Sequence, residues 1–161
     1  MGNEIVHPIP PVFDKNSRVL ILGSFPSVKS RETGFFYGHP RNRFWKVVSV
    51  IFGEETPRTV EEKKDLLLRN GVALWDVLHS CEIRGSSDAS IKNAVPNDLS
   101  VILGAADIKA IFTNGGAAYK YYVRYAQPST GRPAVPLPST SPANAAWTAE
   151  KLTAEWKRIL I

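Results

Sequence analysis

The segment from Gly34 to Trp45 (GFFYGHPRNRFW) combines side chains that could hold a flat, charged ligand. Its twelve residues include five aromatic rings, two arginines, one histidine and one asparagine. Aromatic rings stack on nucleobases, and arginine pairs with phosphate. The amide of Asn42 can both donate and accept hydrogen bonds. These residue types together indicate a pocket for an unstacked nucleobase.

Polar residues also follow several apolar runs of strand length. They are Gly23 to Ser27, Asp76 to Asp88, Leu137 to Asn144 (LPSTSPAN), and Asn114 with the Gly115–Gly116 turn. In a parallel sheet the carboxyl ends of the strands lie at one edge. We therefore expect these clusters to contribute to one site, although a Gly-Gly pair alone is more typical of an ordinary turn.

The elements that must position these clusters follow from hydrophobic patterning. Apolar runs predict four buried strands, at 18–25, 72–78, 108–113 and 134–137. Helical periodicity and capping residues predict helices over 43–52, 61–70, 97–104, 115–125 and 148–161. Residues 1–17 are polar and interrupted by prolines, and residues 80–96 are predicted to be a functional loop. The alternation predicts one domain, residues 1–161, of the α/β class: a three-layer α/β/α sandwich with a central, mostly parallel four-stranded sheet.

Composition limits the partners and cofactors. The chain has 161 residues, a formal net charge of +5 and an isoelectric point of about 9.4, which fits a surface that binds a polyanion. Cys81 is the only cysteine, so a disulfide within the chain is excluded and thiolate ligands for a metal are lacking. We expect no metal and no organic cofactor. The absence of a long apolar run and of a signal-peptide core predicts a cytoplasmic protein, which we expect to be a monomer.

Three motifs resemble the uracil-DNA glycosylase superfamily. They are GSFPS at 23–27, FYGHPRNRFWKV at 36–47 and LPSTSPAN at 137–144. The combination of GHPRN with PSTSPA resembles the branch that excises hypoxanthine, the base of deoxyinosine. This resemblance implies a monofunctional DNA glycosylase that flips hypoxanthine out of DNA and hydrolyses its N-glycosidic bond. Uracil or G:U mismatch excision remains the alternative, and a non-catalytic lesion-binding module is a third.

One position departs from the wider superfamily. The residue before the proline of the first motif is commonly an Asp or Asn that activates water, whereas here it is Phe25. A phenyl ring cannot accept a proton, so the resemblance to the hypoxanthine branch moves the catalytic role to Asn42. Asn42 could orient water through its carbonyl oxygen, or it could merely cap the following helix. Asp88 is the rival activator of water, and its alternative role is a turn cap.

The resemblance also assigns residues to the base and to DNA. Asp76 could accept a hydrogen bond from the N1–H of hypoxanthine, or serve only as a structural carboxylate. His39 could donate to the base or a phosphate, or simply pack in its turn. The expected base-binding residues are Gly23, Ser24, Phe25, Phe36, His39, Asp76 and Asn114. The expected DNA-binding residues are Pro26, Ser27, Arg41, Arg84, Ser139, Thr140, Ser141, Pro142, Ala143 and Asn144.

Overall fold

The computed structural model describes residues 4–161, and two sheets organise this part of the chain. In chain order the elements are strands β1 (Glu4–Val6) and β2 (Val19–Gly23), helices α1 (Val28–Thr33), α2 (Phe44–Ile51) and α3 (Val60–Arg69), strands β3 (Val72–Asp76), β4 (Leu78–Glu82) and β5 (Lys92–Pro96), helix α4 (Ser100–Leu103), strand β6 (Ala110–Asn114), helices α5 (Gly116–Tyr121) and α6 (Gln127–Thr130), strand β7 (Val135–Leu137), and helix α7 (Ala149–Trp156). A π-helical turn at Tyr122–Ala126 joins α5 to α6, and 3-10 turns occupy Asp88–Ser90 and Lys157–Ile159.

The central sheet has four parallel strands in the order β3-β2-β6-β7. Strands β2 and β3 are buried along their whole length, as expected for continuous apolar runs covered on both faces. The predicted α/β fold with a four-stranded parallel sheet is therefore confirmed. All four carboxyl ends point to the same edge, where the polar clusters begin.

The strand order places helices on both faces of this sheet. The chain leaves β2 towards β3 on one side and leaves β6 towards β7 on the other. Because connections between parallel strands are right-handed, opposite directions put the intervening helices on opposite faces. Helix α7 joins the layer of α2, where the ring of Trp156 meets that of Phe44 edge-on at 5.8 Å. The result is the predicted three-layer sandwich, with a reversal of direction between β2 and β6.

Helix ends follow local capping chemistry. The hydroxyls of Thr59 and Thr148 accept hydrogen bonds from the third backbone N–H of α3 and α7, which fixes where these helices begin. Ser27 caps α1 in the same way, accepting from Ser30 N–H. Helix α1 was not predicted, because its six residues lack an apolar stripe. No helix within residues 4–161 is long and apolar enough to cross a membrane.

A small antiparallel sheet was missed at the sequence level. Strand β4 continues from β3 after Val77 and lies between β1 and β5. The prediction that residues 80–96 form a loop is therefore wrong at both ends, and only the part around the Asp88–Ser90 turn is irregular. Strand β5 escaped detection because its residues are exposed or half-buried and lack a clear alternation.

Candidate active site

A cavity of about 230 Å³ opens at the carboxyl edge of the central sheet, where the chain direction reverses between β2 and β6. Ligands of open α/β sheets bind at such reversals. Segments that are far apart in sequence meet there, including the ends of β2, β3 and β6 and the loop after β7. The lining residues are Gly23, Ser24, Phe25, Pro26, Ser27, Ser30, Phe36, Tyr37, His39, Asn42, Asp76, Ser86, Asp88, Asn114, Ser139, Thr140, Ser141 and Pro142.

This cavity contains every residue expected to bind the base and both candidates for catalysis. Their roles remain proposals, but the expectation that they converge at one sheet edge is met. Of the residues expected to bind DNA, Pro26, Ser27, Ser139, Thr140, Ser141 and Pro142 also line it. Arg41 lies in an adjoining groove, while Arg84, Ala143 and Asn144 lie outside the cavity.

Asp76 is a buried carboxylate at the end of β3, with only 3% of its surface exposed. Its Oδ1 lies beside Gly23, so close that a Cβ at that position would be 2.3 Å away. Glycine is therefore required at the end of β2 for Asp76 to reach the cavity. The Oδ2 atom accepts a hydrogen bond of 2.8 Å from Nε2 of His7.

His7 is a site residue that sequence reasoning missed. Its backbone N–H donates to the carbonyl of His79, which extends the pairing of β1 with β4 and carries the imidazole to Asp76. The Nδ1 atom accepts a hydrogen bond from the N–H of Ile9 at 3.2 Å, so the proton of the neutral ring is assigned to Nε2. The His7 side chain is 2% exposed. No local pattern marks it, because the pairing joins residues 69 positions apart.

Tyr37 was not among the predicted site residues, yet its hydroxyl faces Gly23 at the cavity. That oxygen lies 3.0 Å from the position of a Cβ on Gly23 and has no hydrogen-bond partner in the described part of the chain. Burial, together with the negative charge of Asp76, raises the pKa of Tyr37 far above its ordinary value. The hydroxyl therefore stays protonated. The backbone of Tyr37 has a φ of 53°, a conformation that is rare outside glycine and concentrated at functional sites.

The amide of Asn42 is oriented by two donors. Its Oδ1 accepts hydrogen bonds from the N–H of Phe44 at 2.9 Å and from the hydroxyl of Thr140 at 2.8 Å. Two donors occupy both lone pairs of the oxygen, so its Nδ2–H₂ group is the part left for a ligand. The expected orientation of water through the carbonyl oxygen of Asn42 does not fit this geometry. The cap residue of α2 itself is Arg43, while Asn42 contributes the hydrogen bond to Phe44.

Thr140 joins Asn42 to the end of β6. Its hydroxyl accepts from Nδ2 of Asn114 at 3.0 Å, and its N–H donates to Oδ1 of the same amide. Thr140 has no exposed surface. The expectation that it contacts DNA phosphate is therefore wrong, because its hydroxyl is buried and already bonded on both sides. The Asn114 amide is likewise engaged with Thr140, which makes it a support for Asn42 before it is a donor to a base.

Asp88 lies at the rim of the cavity, in the turn that precedes β5. The hydroxyl of Ser24 donates to its Oδ1 at 2.8 Å, which leaves Oδ2 available. Desolvation of the carboxyl raises the pKa of Asp88 above its ordinary value, the hydrogen bond from Ser24 opposes this shift, and the charge of Asp76 adds to it. A carboxylate whose pKa lies closer to neutrality is a better proton acceptor than an ordinary Asp.

Aromatic rings form the apolar wall of the cavity. Phe25 and Phe36 are 8% and 2% exposed, and both line the pocket. The ring of Phe25 contacts the His7 imidazole edge-on at 5.8 Å. Tyr37 stacks on Phe44 with ring centroids 4.2 Å apart. The wall is therefore backed by the hydrophobic core and does not depend on a ligand for its shape.

Arg43 holds the loop after β7 in place. Its guanidinium donates to the carbonyls of Ser141 (2.8 Å) and Asn144 (3.1 Å), and it also bonds the carbonyl of Trp147. The guanidinium of Arg43, which the sequence suggested as a phosphate contact, is therefore occupied by carbonyl oxygens of the protein itself. The Asn144 amide donates to the Ser139 carbonyl and stabilises the same loop. The exposed tip of this loop is Pro142 and Ala143.

The expected phosphate contacts differ in how free their side chains are. Arg41 and Arg84 are exposed and make no side-chain hydrogen bond among the contacts of residues 4–161. Ser27 is occupied as the cap of α1, and Pro26 is buried. The side chain of Arg31 donates to the carbonyl of Gly85 at 2.7 Å. In the described residues no group of three or more His, Cys, Asp or Glu could hold a metal.

Comparison with known proteins identifies the family. Residues 10–160 match the family described as the uracil DNA glycosylase superfamily. A protein named hypoxanthine DNA glycosylase from Methanosarcina barkeri is 35% identical over 114 residues, which cover 70% of this chain and 72% of that protein. A protein of the same name from Methanosarcina acetivorans is 34% identical over 152 residues, which cover 93% of this chain and 94% of that protein.

A solved structure of a related protein has the same fold. A solution NMR structure from Methanosarcina acetivorans, provisionally named a uracil DNA glycosylase, superposes with a TM-score of 0.79 at 30% identity. The match covers 98% of this chain and all of that one. Together with the cavity at the sheet edge and the family match along almost the whole chain, these relatives establish that the chain belongs to the uracil DNA glycosylase superfamily.

Proposed function

We propose that this protein is a monofunctional DNA-deoxyinosine glycosylase, which flips hypoxanthine out of DNA and hydrolyses its N-glycosidic bond. The observation that carries the proposal is the cavity in which Asp76, Asn42 and Asp88 converge beside aromatic walls. The two relatives named hypoxanthine DNA glycosylase support the choice of base. The products are free hypoxanthine and an abasic site for base excision repair.

The base is read by Asp76 and held by the apolar wall. Hypoxanthine carries a hydrogen on N1, and a carboxylate is an acceptor with no proton to donate. Adenine has no hydrogen on N1 and would place a lone pair against the carboxylate. Stacking in the pocket compensates for the interactions lost when the base leaves the duplex. A deaminated base costs less to extract because its base pair is already weak.

Hydrolysis is assigned to Asn42 and Asp88. The Nδ2–H₂ group of Asn42 holds the attacking water by its oxygen, and the free oxygen of Asp88 accepts a proton from that water. The water oxygen bonds to C1′ of the sugar, while the C1′–N9 bond breaks and its electrons go to the base. The departing anion is stabilised by the N–H of His39 and the protonated Tyr37 hydroxyl, and it finally takes up the proton.

DNA follows a basic groove beside the cavity. The groove shares Tyr37, His39 and Asn42 with the cavity, and Arg41, Lys46 and Lys63 add positive charge along it. We propose that its cations pair with the phosphates that flank the flipped nucleotide. We further propose one folding unit that acts as a monomer in the cytoplasm. The match over residues 10–160 supports a single unit, and the unpaired, buried Cys81 fits a reducing compartment.

Uracil excision is the second candidate. Uracil also presents a hydrogen on a ring nitrogen between carbonyl oxygens, so Asp76 could accept from it equally well. The NMR structure from Methanosarcina acetivorans carries a uracil DNA glycosylase name. Phe25 argues against this candidate, because the acid or amide that uracil-excising members commonly carry there is absent.

The test is a panel of labelled duplexes with hypoxanthine, uracil, xanthine or thymine opposite each normal base, followed by alkaline cleavage of abasic sites. We expect hypoxanthine to be released fastest. Faster release of uracil would move the assignment to the second candidate. Binding of inosine-containing DNA without release of any base would identify a lesion-binding module instead.

A further inference from the structure

We propose that His7 sets the base specificity of this site by occupying one oxygen of Asp76, so that this carboxylate offers the base a single acceptor. The inference rests on the proposed function, because it concerns how a flipped base is read. His7 lies outside the three motifs that carry the family resemblance. It acts through Asp76 and is therefore a positioning residue.

The two carboxylate oxygens have different surroundings. Oδ1 lies beside Gly23, and both Gly23 and Asp76 line the cavity. Oδ2 is bonded at 2.8 Å to His7, which is not among the lining residues. The oxygen that a ligand can reach is therefore Oδ1, and Oδ2 is withdrawn from the base.

The imidazole is fixed as a donor. Nδ1 accepts from the N–H of Ile9, which requires that the single proton of the neutral ring sit on Nε2, opposite Asp76. Three aromatic rings surround it: Phe25 at 5.8 Å, Phe36 at 6.0 Å and Trp75 at 6.5 Å between centroids. The ring can neither turn away from Asp76 nor exchange its tautomer without losing one of these hydrogen bonds. Asp76 is thereby held in one orientation.

The chemistry of purines makes this arrangement selective. A carboxylate with both oxygens free matches guanine, which presents N1–H and its 2-amino group side by side. Hypoxanthine differs from guanine only by lacking that amino group. With Oδ2 taken by His7, the N1–H of either base finds an acceptor, but the amino group of guanine finds none. A buried donor left without a partner is costly, so the normal base is rejected.

The experiment measures binding, with excision recorded separately. A fluorescently labelled single strand with one central hypoxanthine is bound to the protein. It is then displaced by unlabelled strands of the same sequence that carry hypoxanthine, guanine or adenine at that position. Single strands remove the effect of the strong G:C pair. Excision is measured on the same strands by alkaline cleavage.

Two substitutions separate the donor from the ring. His7→Phe keeps an aromatic ring among Phe25, Phe36 and Trp75 but removes the N–H donor, and His7→Gln keeps an N–H donor. The exposed neighbour Val6 provides the control Val6→Ala. In the wild type and the control, we expect the guanine strand to compete no better than the adenine strand. In His7→Phe, we expect competition by guanine relative to hypoxanthine to improve about tenfold. In His7→Gln, the wild-type ranking should return.

An unchanged ranking in a folded His7→Phe variant would overturn the inference, and so would guanine binding in His7→Gln equal to that in His7→Phe. If His7→Phe does not fold, nitrogen NMR of the wild-type imidazole decides. We expect a neutral ring with its proton on Nε2, whereas a proton on Nδ1 would refute the mechanism. Wild-type protein that binds these strands but releases no base contradicts the proposed function, while the competition ranking still tests His7.

Discussion

The amide of Asn42 leaves a different atom free for a ligand than the carbonyl oxygen that the sequence suggests. Its oxygen accepts hydrogen bonds from the Phe44 N–H and the Thr140 hydroxyl, so the nitrogen end is the part left for a ligand. Sequence reasoning places Asn42 in the cavity but cannot orient its amide. Orientation depends on Thr140, which lies 98 residues away in the chain.

Two substitutions of Asn42 distinguish the ends of its amide. Asn42→Asp keeps an oxygen for Phe44 and Thr140 but removes the N–H donors, and Asn42→Ala removes both. We expect each to lower kcat for hypoxanthine release by about 10²–10³-fold with little change in KM, as for loss of one hydrogen bond made in the transition state. Single-turnover kinetics measure this loss. Full activity of Asn42→Asp would assign catalysis to the oxygen.

Asp88 should leave its mark on the pH dependence. The proposed proton acceptor works only when ionised, so kcat should fall as the pH falls through the pKa of Asp88. Desolvation of the carboxyl and the negative charge of Asp76 raise that pKa against the opposing hydrogen bond from Ser24, so this acidic limb lies above the ordinary range for Asp. Asp88→Asn should lower kcat by about 10²–10⁴-fold and abolish the limb. A pH profile of kcat for both proteins checks this, and an unchanged limb would exclude Asp88.

The raised pKa of Asp88 also predicts that its ionised carboxylate lowers the stability of the fold. A carboxyl whose pKa is raised by folding binds its proton more tightly in the folded state. Ionised Asp88 therefore destabilises the fold at pH values above its folded pKa, and the cost disappears below its unfolded pKa. Asp88→Asn should melt at a slightly higher temperature than the wild type at pH 7, with no gain near pH 3. Thermal melts at the two pH values measure the difference.

At the scale of elements, Thr140 connects three segments of the fold by hydrogen bonds. Its side chain and N–H connect the loop after β7 to the end of β6 and the start of α2. Thr140→Val keeps the shape but leaves the buried amides of Asn42 and Asn114 each short of a partner. We expect a loss of about 1–3 kcal/mol in the free energy of unfolding, and a lower kcat. Thr140→Ser should restore most of both, as measured by urea titration and single-turnover assays.

The elements divide into those that local patterns reveal and those that they do not. Strands β2, β3 and β6 were predicted because continuous apolar runs indicate burial on both faces, and α3 and α7 because their caps are local. Strand β1 has only three residues, and its formation depends on pairing with β4. The cavity was predictable because parallel strands end at one edge, whereas the supports from His7 and Thr140 depend on long-range contacts.

At the scale of the whole molecule, the positive charge is expected to act through the groove beside the cavity. Replacing Arg41 or Lys63 with Ala should weaken DNA binding and reduce the dependence of log Kd on log salt by about 0.7 per lost phosphate contact on single strands. Lys109→Ala is the control, because Lys109 precedes β6 at the opposite edge of the sheet. Fluorescence titrations at several salt concentrations measure the slopes. Equal slopes for all variants would place the DNA elsewhere.

The pairing of β1 with β4 also has a consequence for the order of folding. Strands β4 and β5 are neighbours in the chain and close a short loop, whereas His7 must find Asp76 across 69 residues. Closing the longer loop costs more chain entropy, so β1 docks last and detaches first. Hydrogen exchange should therefore be faster at Ile5 than at Leu20. A molecule with β1 detached keeps the proposed catalytic groups but lacks the donor to Asp76, so a partly opened protein should discriminate less between bases.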